Sequence, residues 1–447
     1  MKKLSFLLAL VTFIIGTTIS CSVKEKKKTE YVSGNNKIII EVWDKPSMGD
    51  FKRLKLYDKI IKRFEKKYPD IKVKGVSQVY KPEIFIAKVT GGKGPDCMPI
   101  WGVEVPTLAE KGLIAPLDKY IKKWRLKDQF YKAMWSFNIF QGKYYGVPVA
   151  TVSSVMTLWY RKDLFKKAGI VDKKGNPVPP KNWKELVEYG KKLTIPSEHQ
   201  YGYAIIGDSH CGFHFIDYIF QAGGKVVEYK NGKWKAVFNN KSGVVALQFI
   251  HNLRWKYHII QPNILATKKE TYMMFAMGKA AMVKGPPDEL PKVLRSFNLD
   301  PAVVGIAPLP AGPTGIKANQ ISGASWIINS QISEKKRDAC WKYIEFMSDP
   351  DTVKFIWKES KKLKLKILDG SSAIKNLKPS KVVKGVLTWP GIDEAKEIAE
   401  PEPFCPNWNK IKRALNYPYQ AALVLKNPDY QKLLDETVKR INERWLK

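Results

Sequence analysis

The stretch that decides the fold is residues 37–76, KIIIEVWDKPSMGDFKRLKLYDKIIKRFEKKYPDIKVKGV. It begins with an apolar run, residues 37–43, of the kind found in a strand buried in a parallel sheet. Apolar residues then recur at helical spacing and stop before Pro69, where the helix is expected to end. A second strand follows at residues 71–76. The order strand, helix, strand predicts a right-handed crossover unit.

The alternation continues beyond this unit. A helix is predicted around residues 84–89, and a turn rich in glycine and proline leads into a third strand at residues 97–101. Three strands joined by helices predict a doubly wound α/β lobe. Ligands of such sheets bind beyond the carboxyl ends of the strands, and Trp43 and Trp101 both stand at those ends.

The second half of the chain shows a similar alternation, so the 447 residues are expected to form two or more lobes. Asn182 caps a helix, with Glu185 three residues further on, in a variant of the capping box. The other predicted elements are strands at 201–206 and 280–283 and helices at 244–255, at 271–277, from Ser333 onward and at the C-terminus.

The charge balance is unusual, because 77 Lys and Arg against 42 Asp and Glu leave a net charge of +35. Such an excess is typical of a nucleic-acid binder, of a protein held near an anionic surface, or of a lysine-rich solvated surface. Nucleic-acid sites concentrate their charge on one face, whereas these lysines are spread along every predicted helix among acidic residues. No nucleic-acid-binding motif accompanies them, so the solvated surface is the favoured interpretation.

The beginning of the chain has the pattern of a bacterial secretion signal. A basic start, an apolar core and a small-residue exit predict that residues 1–20 are a signal peptide, too short for a membrane span. Residues 18–21, TISC, resemble a lipoprotein cleavage box, which implies that Cys21 is lipidated. Residues 21–36 are then a flexible lipid-anchored tether. A secreted protein with an unmodified cysteine is the alternative.

Four further cysteines lie far apart in the sequence. Because they form no C-x-x-C pair, neither a zinc site nor a disulfide framework is indicated. They are Cys97, Cys211, Cys340 and Cys405.

From residue 37 to the C-terminus, the chain resembles the bacterial extracellular solute-binding proteins of family 1, the maltose-binding-protein-like sugar-binding lipoproteins of ABC transporters. No single segment is specific, but the series occurs in the family's order. The similar segments are FEKKYPDIKV (64–73), GPD (94–96), LAEKGL (108–113), PLD (116–118), GKYYGVP (142–148), YRKDLFKKAG (160–169), GKAAM (278–282) and APLP (307–310).

This resemblance implies a two-lobed periplasmic-binding-protein fold of type II, in which hinge strands join two α/β lobes around a ligand cleft. The crossings between lobes are expected near residues 149–155, 319–325 and 366–371. The expected segments are 37–149 (lobe 1, first part), 150–318 (lobe 2, first part), 319–366 (lobe 1, second part) and 367–447 (lobe 2, the C-terminal helical part).

The resemblance also implies a function. The protein is expected to capture a carbohydrate, an oligosaccharide, by lobe closure and to deliver it to the permease subunits of an ABC importer. It is expected to be a monomer outside the cytoplasm, anchored to the cell membrane through Cys21. No cofactor, metal, nucleic-acid partner or catalytic activity is expected. A secreted glycoside-acting enzyme and a binding protein for a non-sugar solute are the alternatives.

Trp101 and Glu104 are the leading candidates for the cleft, since the resemblance places an aromatic ring and a sugar-hydroxyl contact there. A flat indole covers the apolar C–H face of a sugar ring, and carboxylate and amide oxygens accept hydrogen bonds from its hydroxyls. Core packing is the alternative for Trp101 and for Trp43, whereas the turn around Trp408 favours its exposure. The expected ligand-binding residues are Trp43, Asp44, Lys45, Trp101, Glu104, Ser153, Asp208, His210, Asp288, Trp389 and Trp408.

Enzyme and metal motifs are weak. The sequence contains no P-loop, zinc-protease or serine-hydrolase motif. His210 and His214 could place two nitrogens on one helical face for a metal, but no third ligand is evident. A glycosidase would need two carboxyl groups that face each other across a cleft, for which Glu104 and Asp208 are candidates.

The chain departs from the family pattern at two places. Residues 285–287 read Gly-Pro-Pro where relatives often have Gly-Pro-Trp, so one aromatic wall is lost and Asp288 is expected to line the gap. Residues 151–154 read Thr-Val-Ser-Ser where relatives place an acid. Both departures leave the identity of the sugar open.

Overall fold

The computed structural model describes residues 37–365, 367 and 371–446. The predicted signal peptide, the tether and Cys21 lie outside these residues. The strands are β1 (Ile38–Val42), β2 (Ile71–Gly75), β3 (Cys97–Trp101), β4 (Ile139–Phe140), β5 (Lys143–Tyr144), β6 (Val147–Val155), β7 (Thr157–Arg161), β8 (Tyr201–Ala204), β9 (Val227–Lys230), β10 (Lys233–Ala236), β11 (Ala280–Gly285), β12 (Val304–Ala307), β13 (Asn319–Ile328) and β14 (Ala399–Pro401).

Helices connect these strands and cover their faces. Within the described residues, no helix combines the length and the apolar character that a bilayer span requires. The helices are α1 (Phe51–Lys67), α2 (Pro82–Thr90), α3 (Val105–Glu110), α4 (Asp118–Ile121), α5 (Lys132–Ser136), α6 (Lys162–Lys167), α7 (Trp183–Leu193), α8 (Cys211–Gln221), α9 (Lys241–Trp255), α10 (Lys268–Ala276), α11 (Leu290–Ser296), α12 (Glu334–Ser348), α13 (Pro350–Lys362), α14 (Gly391–Glu397), α15 (Trp408–Ala414), α16 (Asn416–Val424) and α17 (Tyr430–Arg444).

The first sheet contains the three strands that the opening stretch predicted. Its order is β14-β13-β3-β1-β2, and β6 also pairs with β13. β1 runs parallel to both β2 and β3, with Ile38 opposite Ile71 and Val42 opposite Cys97. The carboxyl ends of β1, β2 and β3 therefore lie at one edge, which is where a binding site was expected.

The second sheet has the order β12-β7-β11-β8. β8 is parallel to β11, whereas β7 is antiparallel to both β11 and β12. The chain passes from the first sheet to the second between β6 and β7, where Met156 is the intervening residue. The Met156 N–H donates to the Gln320 carbonyl of β13, at 2.8 Å, so the outgoing and returning chains are bonded at this passage.

Residues in the C-terminal part of the chain, after α13, contact both sheets. β14 pairs with β13 in the first sheet, so the expectation that residues 367–447 belong wholly to the second lobe is too simple. The physical reason is that β13 offers an unpaired edge near Asn319–Ile321, which β14 completes. Helices α15, α16 and α17 instead supply apolar residues to the core beneath the second sheet.

Local signals explain several helix boundaries. The Asn182 side chain accepts from the N–H of Glu185 at the start of α7, and the Ser333 side chain accepts from the N–H of Lys336 at the start of α12. Both caps were predicted from the sequence, and each satisfies a backbone donor that the helix leaves unpaired.

A small apolar cluster packs at the carboxyl edge of the first sheet. It contains Trp43, Tyr80, Ile100 and Phe140, which belong to four different segments. Because the segments that follow β1, β2 and β3 meet here, this cluster supports the side chains of the candidate site.

Candidate functional site

Trp101 ends β3 and is the most exposed of the predicted ligand-binding tryptophans, with 52% of its surface accessible. Its ring meets the Tyr80 ring edge-on, with the centroids 5.8 Å apart. Glycine is required at the next position, because a Cβ on Gly102 would lie 2.2 Å from the Phe137 ring. This close approach lets the chain turn sharply after β3 and leaves the indole of Trp101 open to solvent.

Tyr80 is a candidate site residue that the sequence analysis did not identify. Its hydroxyl oxygen is buried and has no hydrogen-bond partner among the described residues. Burial raises the pKa of Tyr80, and the nearby Glu104 and Glu83 carboxylates raise it further, so the hydroxyl remains a donor. A buried polar group without a partner is uncommon and can be satisfied by a ligand. Tyr80 follows β2, so the rule that selected Trp101 would also have selected it.

Glu104 lies one short turn after Trp101. Its Oε1 accepts from the Nδ2 of Asn409 at 2.9 Å, although 305 positions separate the two residues. Burial is the main cause that raises the pKa of Glu104; the Glu83 carboxylate adds to the increase and Lys412 opposes it. A carboxylate one short turn beyond an exposed indole is suited to accept hydrogen bonds from hydroxyl groups.

The raised pKa of Glu104 predicts a pH-dependent effect on stability. Above the unfolded pKa the folded state binds more protons at this site, so stability falls as the pH rises toward the folded pKa. Glu104→Gln removes the ionisable carboxyl group, and with it the loss of stability that ionisation in a buried position causes. The glutamine keeps an oxygen that can accept a hydrogen bond from Asn409. We expect its melting temperature to exceed that of the unaltered protein at pH 7 by about 1–4 °C, and the difference to vanish near pH 3.5.

Differential scanning calorimetry at both pH values checks this expectation. Glu110→Gln, on the exposed end of α3, is the matched control and should change neither value. A Glu104→Gln variant that melts below the unaltered protein at pH 7 would show that the ionised carboxylate stabilises the fold.

Trp408 is buried, so the expectation that its ring is exposed is wrong. Only 2% of its surface is accessible, and its indole N–H donates to Glu402 at 2.9 Å. The reason lies in Asn407, which adopts a left-handed conformation with φ 59° and starts α15 at Trp408. The ring consequently packs into the core beneath the second sheet.

The sequence analysis also did not identify Glu402 and Lys412 as residues near the candidate site. The Nζ of Lys412 donates to Glu402 at 2.8 Å and lies 5.1 Å from the centroid of the Phe213 ring. Lys412 is one turn beyond Trp408 on α15, and it is close enough to Glu104 to lower the pKa of that carboxyl. We call Tyr80, Trp101, Glu104, Asn409 and Lys412 the Trp101 cluster.

Asp208 and His210 are brought together in the turn before α8. Asp208 accepts from the His210 N–H at 2.9 Å, and its carboxylate lies 3.2 Å from the His210 Nδ1. The His210 side chain is exposed, whereas His214 is buried, so the two imidazoles do not share an open face. Within the described residues no group of three potential ligands could hold a metal ion. The described residues therefore offer no third ligand for a metal site at His210 and His214.

Ser153 and Asp288 lie at the passage between the sheets. The Ser153 hydroxyl is buried and donates to the Ser372 carbonyl at 3.0 Å. The neighbouring Ser154 hydroxyl donates to Asp288 at 2.7 Å. The first contact joins β6 to Ser372, and the second joins β6 to the loop after β11. Among the described contacts, none links Ser153 or Asp288 to the Trp101 cluster.

Trp43 and Asp44, which follow β1, form hydrogen bonds with other side chains of the protein. Trp43 is buried, as its alternative interpretation held, and its indole N–H donates to Glu41 at 3.0 Å. Asp44 accepts from the hydroxyls of Tyr57 and Tyr343, one on each carboxylate oxygen, so the expectation that it reaches a ligand is not supported by this geometry. Burial raises the pKa of Asp44 to about 6, against the opposing effect of these two hydrogen bonds.

Lys45, next to Asp44, is half-buried.

Trp389 lies at the second sheet, because its indole N–H donates to the Val304 carbonyl of β12 at 3.2 Å. Together with Leu387 it lines an open groove of about 620 Å³ at the edge of the second sheet. None of its described hydrogen bonds involves the Trp101 cluster.

The β4–β5 and β9–β10 hairpins contact each other. Gln141, in the β4–β5 turn, lies with its Nε2 3.4 Å from the hydroxyl of Tyr229 in β9. The rings of Phe140 and Tyr229 have centroids 6.3 Å apart. Phe140 packs in the same small apolar cluster as Tyr80, which contacts Trp101.

Comparison with known proteins identifies the family of this chain. The sequence profile of the family described as bacterial extracellular solute-binding protein matches residues 49–354. A binding protein of Brucella abortus (strain 2308) is 26% identical over 301 residues, which cover 66% of this chain and 69% of that protein. The arabinooligosaccharide-binding protein of Bacillus subtilis (strain 168) is 28% identical over 270 residues, covering 58% of each chain.

A solved structure shows the same fold. An ABC transporter solute-binding protein of Thermotoga lettingae, crystallised with alpha-D-tagatose, aligns with a TM-score of 0.67 at 24% identity, covering 91% of this chain and 99% of that one. The profile match covers well over half of the chain, and the two sheets joined at Met156 are those of a two-lobed binding protein. The chain therefore belongs to the bacterial extracellular solute-binding protein family.

Proposed function

We propose that this protein captures a carbohydrate, an oligosaccharide, outside the cytoplasm and delivers it to the permease of an ABC importer without cleaving it. The observation that carries the proposal is the exposed indole of Trp101, which contacts the ring of Tyr80 and precedes Glu104 by one short turn. The similarity to an arabinooligosaccharide-binding protein and to a tagatose-bound structure supports the carbohydrate class.

The chemistry of the Trp101 cluster fits a sugar better than an ion or an apolar solute. The indole offers an apolar face, whereas Tyr80, Asn409 and Lys412 offer hydrogen-bond donors and Glu104 an acceptor. A sugar presents C–H groups on its faces and hydroxyls around its rim, so it matches both parts. The loss of an aromatic wall at Pro287 argues for a ligand other than maltodextrin.

The proposed hinge lies where the chain passes between the sheets. β6 pairs in the first sheet and β7 in the second, so rotation about the region of Met156 would move one lobe relative to the other. We assign residues 37–149 and 319–366 to the first lobe and 150–318 to the second, with 367–447 divided between them. Lobe closure on a ligand follows the hinge mode of domain motion.

A thermal-shift screen tests the carbohydrate proposal. The full-length chain is heated with mono- and oligosaccharides, and with polyols and amino acids as controls. A ligand that binds only the folded state adds about 2.7 kcal/mol of stability at a hundredfold excess over its Kd. We expect an oligosaccharide to raise the melting temperature. A shift produced by an amino acid and by no sugar would overturn the carbohydrate class and leave the solute-binding role standing.

The contact between the two hairpins predicts a residue that slows ligand release. Gln141 and Phe140 belong to the first proposed lobe and Tyr229 to the second, and we propose that their contact helps to hold the lobes closed. Tyr229→Ala removes both the ring and the hydroxyl. We expect the bound sugar to dissociate about two- to tenfold faster, the range for one lost aromatic contact, in stopped-flow measurements.

The matched control for this test is Tyr229→Phe, which keeps the ring and loses only the hydroxyl. The sugar is expected to dissociate from this variant almost as slowly as from the unaltered protein. If Tyr229→Ala releases the sugar at the unaltered rate while remaining folded, the hairpin contact does not hold the lobes together.

The membrane anchor is a separate part of the proposal. We infer from the TISC sequence that the mature protein begins at a lipidated Cys21 and acts as an anchored monomer. Mass spectrometry of the protein purified from bacterial membranes is expected to show an N-terminal peptide that starts at Cys21 and carries acyl chains. An N-terminal peptide that starts elsewhere, or an unmodified Cys21, would remove the anchor and leave the carbohydrate proposal untouched.

A further inference from the structure

Basic residues are concentrated on two helices that pack against the first sheet. α1 carries eight Lys and Arg against two Asp and Glu, and α13 carries four against two. Helices that pack beneath the second sheet are nearly balanced, since α7 carries three Lys against two Glu and α17 four Lys and Arg against three Asp and Glu. The excess positive charge is therefore unevenly distributed, in contrast to the even spread that favoured a solvated surface.

Two contacts place α1 and α13 side by side. The Nζ of Lys59 lies 2.5 Å from the carboxylate of Glu359, and the guanidinium carbon of Arg63 lies 4.9 Å from the centroid of the Phe355 ring. The residue number rises on α1 and falls on α13 between these contacts, so the two helices are antiparallel.

Each helix carries a row of lysines along this contact. Residues three or four positions apart share one helix face, which is the spacing of these lysines on both helices. We call them the basic face: Lys55, Lys59, Lys62 and Lys66 on α1, with Lys354, Lys358 and Lys361 on α13.

Few acidic groups neutralise the basic face. Glu359 is shared, because Lys59 and Lys362 both lie 2.5 Å from its carboxylate, and Lys354 lies 3.1 Å from Asp351. Four exposed lysines of the face take part in none of the described ion pairs: Lys62, Lys66, Lys358 and Lys361.

We propose that the basic face rests on the anionic phospholipid headgroups of the membrane that carries the anchored protein. The inference depends on the anchored, extracytoplasmic location given under the proposed function. Each lysine close to an anionic bilayer is attracted to it, and the attraction decays within about 8 Å at physiological salt. Two adjacent rows of lysines on one side of the molecule suit an extended surface of this kind.

The position of residue 37 favours a membrane over a soluble polyanion. The N–H of Ile38 donates to the Asp70 carbonyl at 2.8 Å, so the chain enters the first sheet beside the end of α1 at Lys67. The sixteen residues from 21 to 36 reach at most about 58 Å even when fully extended. A lipidated Cys21 therefore confines the basic face near the headgroups, where weak contacts act at a high effective concentration.

The candidate ligand site stays accessible in this arrangement. β1 is parallel to β3, so residue 37 lies at the amino edge of the first sheet and Trp101 at its carboxyl edge. No residue of the basic face belongs to the Trp101 cluster. Exposed charges contribute little individually and are screened by salt, so the contact is reversible and leaves the protein free to reach the permease.

Vesicle co-sedimentation tests the proposal with the unacylated mature chain, residues 22–447, to which the lipid anchor contributes nothing. We expect this chain to bind vesicles that contain phosphatidylglycerol, to ignore vesicles of phosphatidylcholine alone, and to be released by high salt. A quadruple variant that removes four charges of the basic face is expected to bind at least about tenfold more weakly. Its substitutions are Lys62→Gln, Lys66→Gln, Lys358→Gln and Lys361→Gln.

The matched control removes four exposed lysines from α7, α9, α10 and α17. Its substitutions are Lys192→Gln, Lys241→Gln, Lys269→Gln and Lys439→Gln. Because charges more than a Debye length from the bilayer are screened, its affinity should stay within about twofold of the unaltered chain. Equal weakening of both variants would overturn an oriented face, and so would binding to heparin without binding to phosphatidylglycerol vesicles.

Lysine acetylation provides a second readout on the unaltered chain. With phosphatidylglycerol vesicles present, mass spectrometry is expected to show slower acetylation of Lys62 and Lys358 and an unchanged rate at Lys192 and Lys439. Rates that are the same at all four lysines would contradict the proposal. The sugar screen and the mass of the Cys21 peptide are measured independently, so failure here leaves the proposed function standing.

Discussion

Replacing Lys284 by methionine is expected to lower the free energy of unfolding by about 3–5 kcal/mol, the cost of leaving a buried charge without its partner. Lys284 lies in β11 with 5% of its side chain exposed, and its Nζ is 3.1 Å from the carboxylate of Asp217, which is fully buried in α8. The ammonium also donates to the His214 carbonyl at 2.5 Å. Methionine fills a similar volume but supplies neither interaction.

Lys284 and Asp217 are both buried, so the attraction between their charges offsets part of the free energy that removing them from water costs. Burial lowers the pKa of Lys284 and raises the pKa of Asp217, and in each case the partner's charge opposes the shift. Asp217 also accepts from the N–H of Gln320 at 2.8 Å, so it joins α8 to β13. In the Lys284→Met variant the isolated carboxylate should take up a proton more readily, and the loss of stability should therefore increase as the pH rises.

Urea denaturation at pH 7 measures the effect. Lys279→Met is the control, since Lys279 is an exposed lysine near the start of β11 whose Nζ donates only to a backbone carbonyl among its described hydrogen bonds. It is expected to change stability by less than about 0.5 kcal/mol. The double variant Lys284→Met with Asp217→Asn should recover part of the loss. A Lys284→Met protein as stable as the control would show that the pair does not stabilise the fold.

The second large effect concerns the ligand. Trp101→Ala is expected to weaken carbohydrate binding by about 1–4 kcal/mol, roughly 5- to 900-fold in Kd, because an aromatic anchor supplies much of the energy of a small site. The exposed indole makes few core contacts, so the fold should tolerate its removal. Trp101→Phe keeps a smaller flat face and should recover part of the affinity. Isothermal titration gives both values.

Met277→Ala is the control for this series, because Met277 has 62% of its surface exposed and lies at the end of α10. It should bind as the unaltered protein does. If Trp101→Ala binds equally well while its melting temperature is unchanged, the indole does not contact the ligand and the Trp101 cluster is not the binding site.

Much of the fold was predictable because its signals are local. The apolar run at residues 38–42, the helical spacing that follows and the turn at Pro69 each act over a few residues, and they predicted β1, α1 and β2 correctly. Cap residues at Asn182 and Ser333 are equally local, and both predictions were confirmed.

The site was predictable only in part, since its members come from distant segments. Trp101 was selected because it ends a strand and because the family resemblance places an aromatic ring there, and Glu104 was selected from the resemblance alone. Asn409 and Lys412 meet them only through the packing of α15, which no local pattern specifies. Trp408 was misjudged for the same reason: a turn rich in proline and asparagine indicates a surface position, but the ring that follows it is drawn into the core.

The central claim is that this protein holds a carbohydrate and returns it intact. Equilibrium dialysis of the full-length chain against labelled oligosaccharides, followed by mass spectrometry of the sugar recovered from the protein, tests this claim most directly. We predict saturable binding of one sugar molecule per chain, recovery of that sugar at its original length, and loss of binding in Trp101→Ala. Recovery of shortened sugars would show a glycoside-acting enzyme, and the absence of saturable binding to every sugar in the panel would contradict the proposed function.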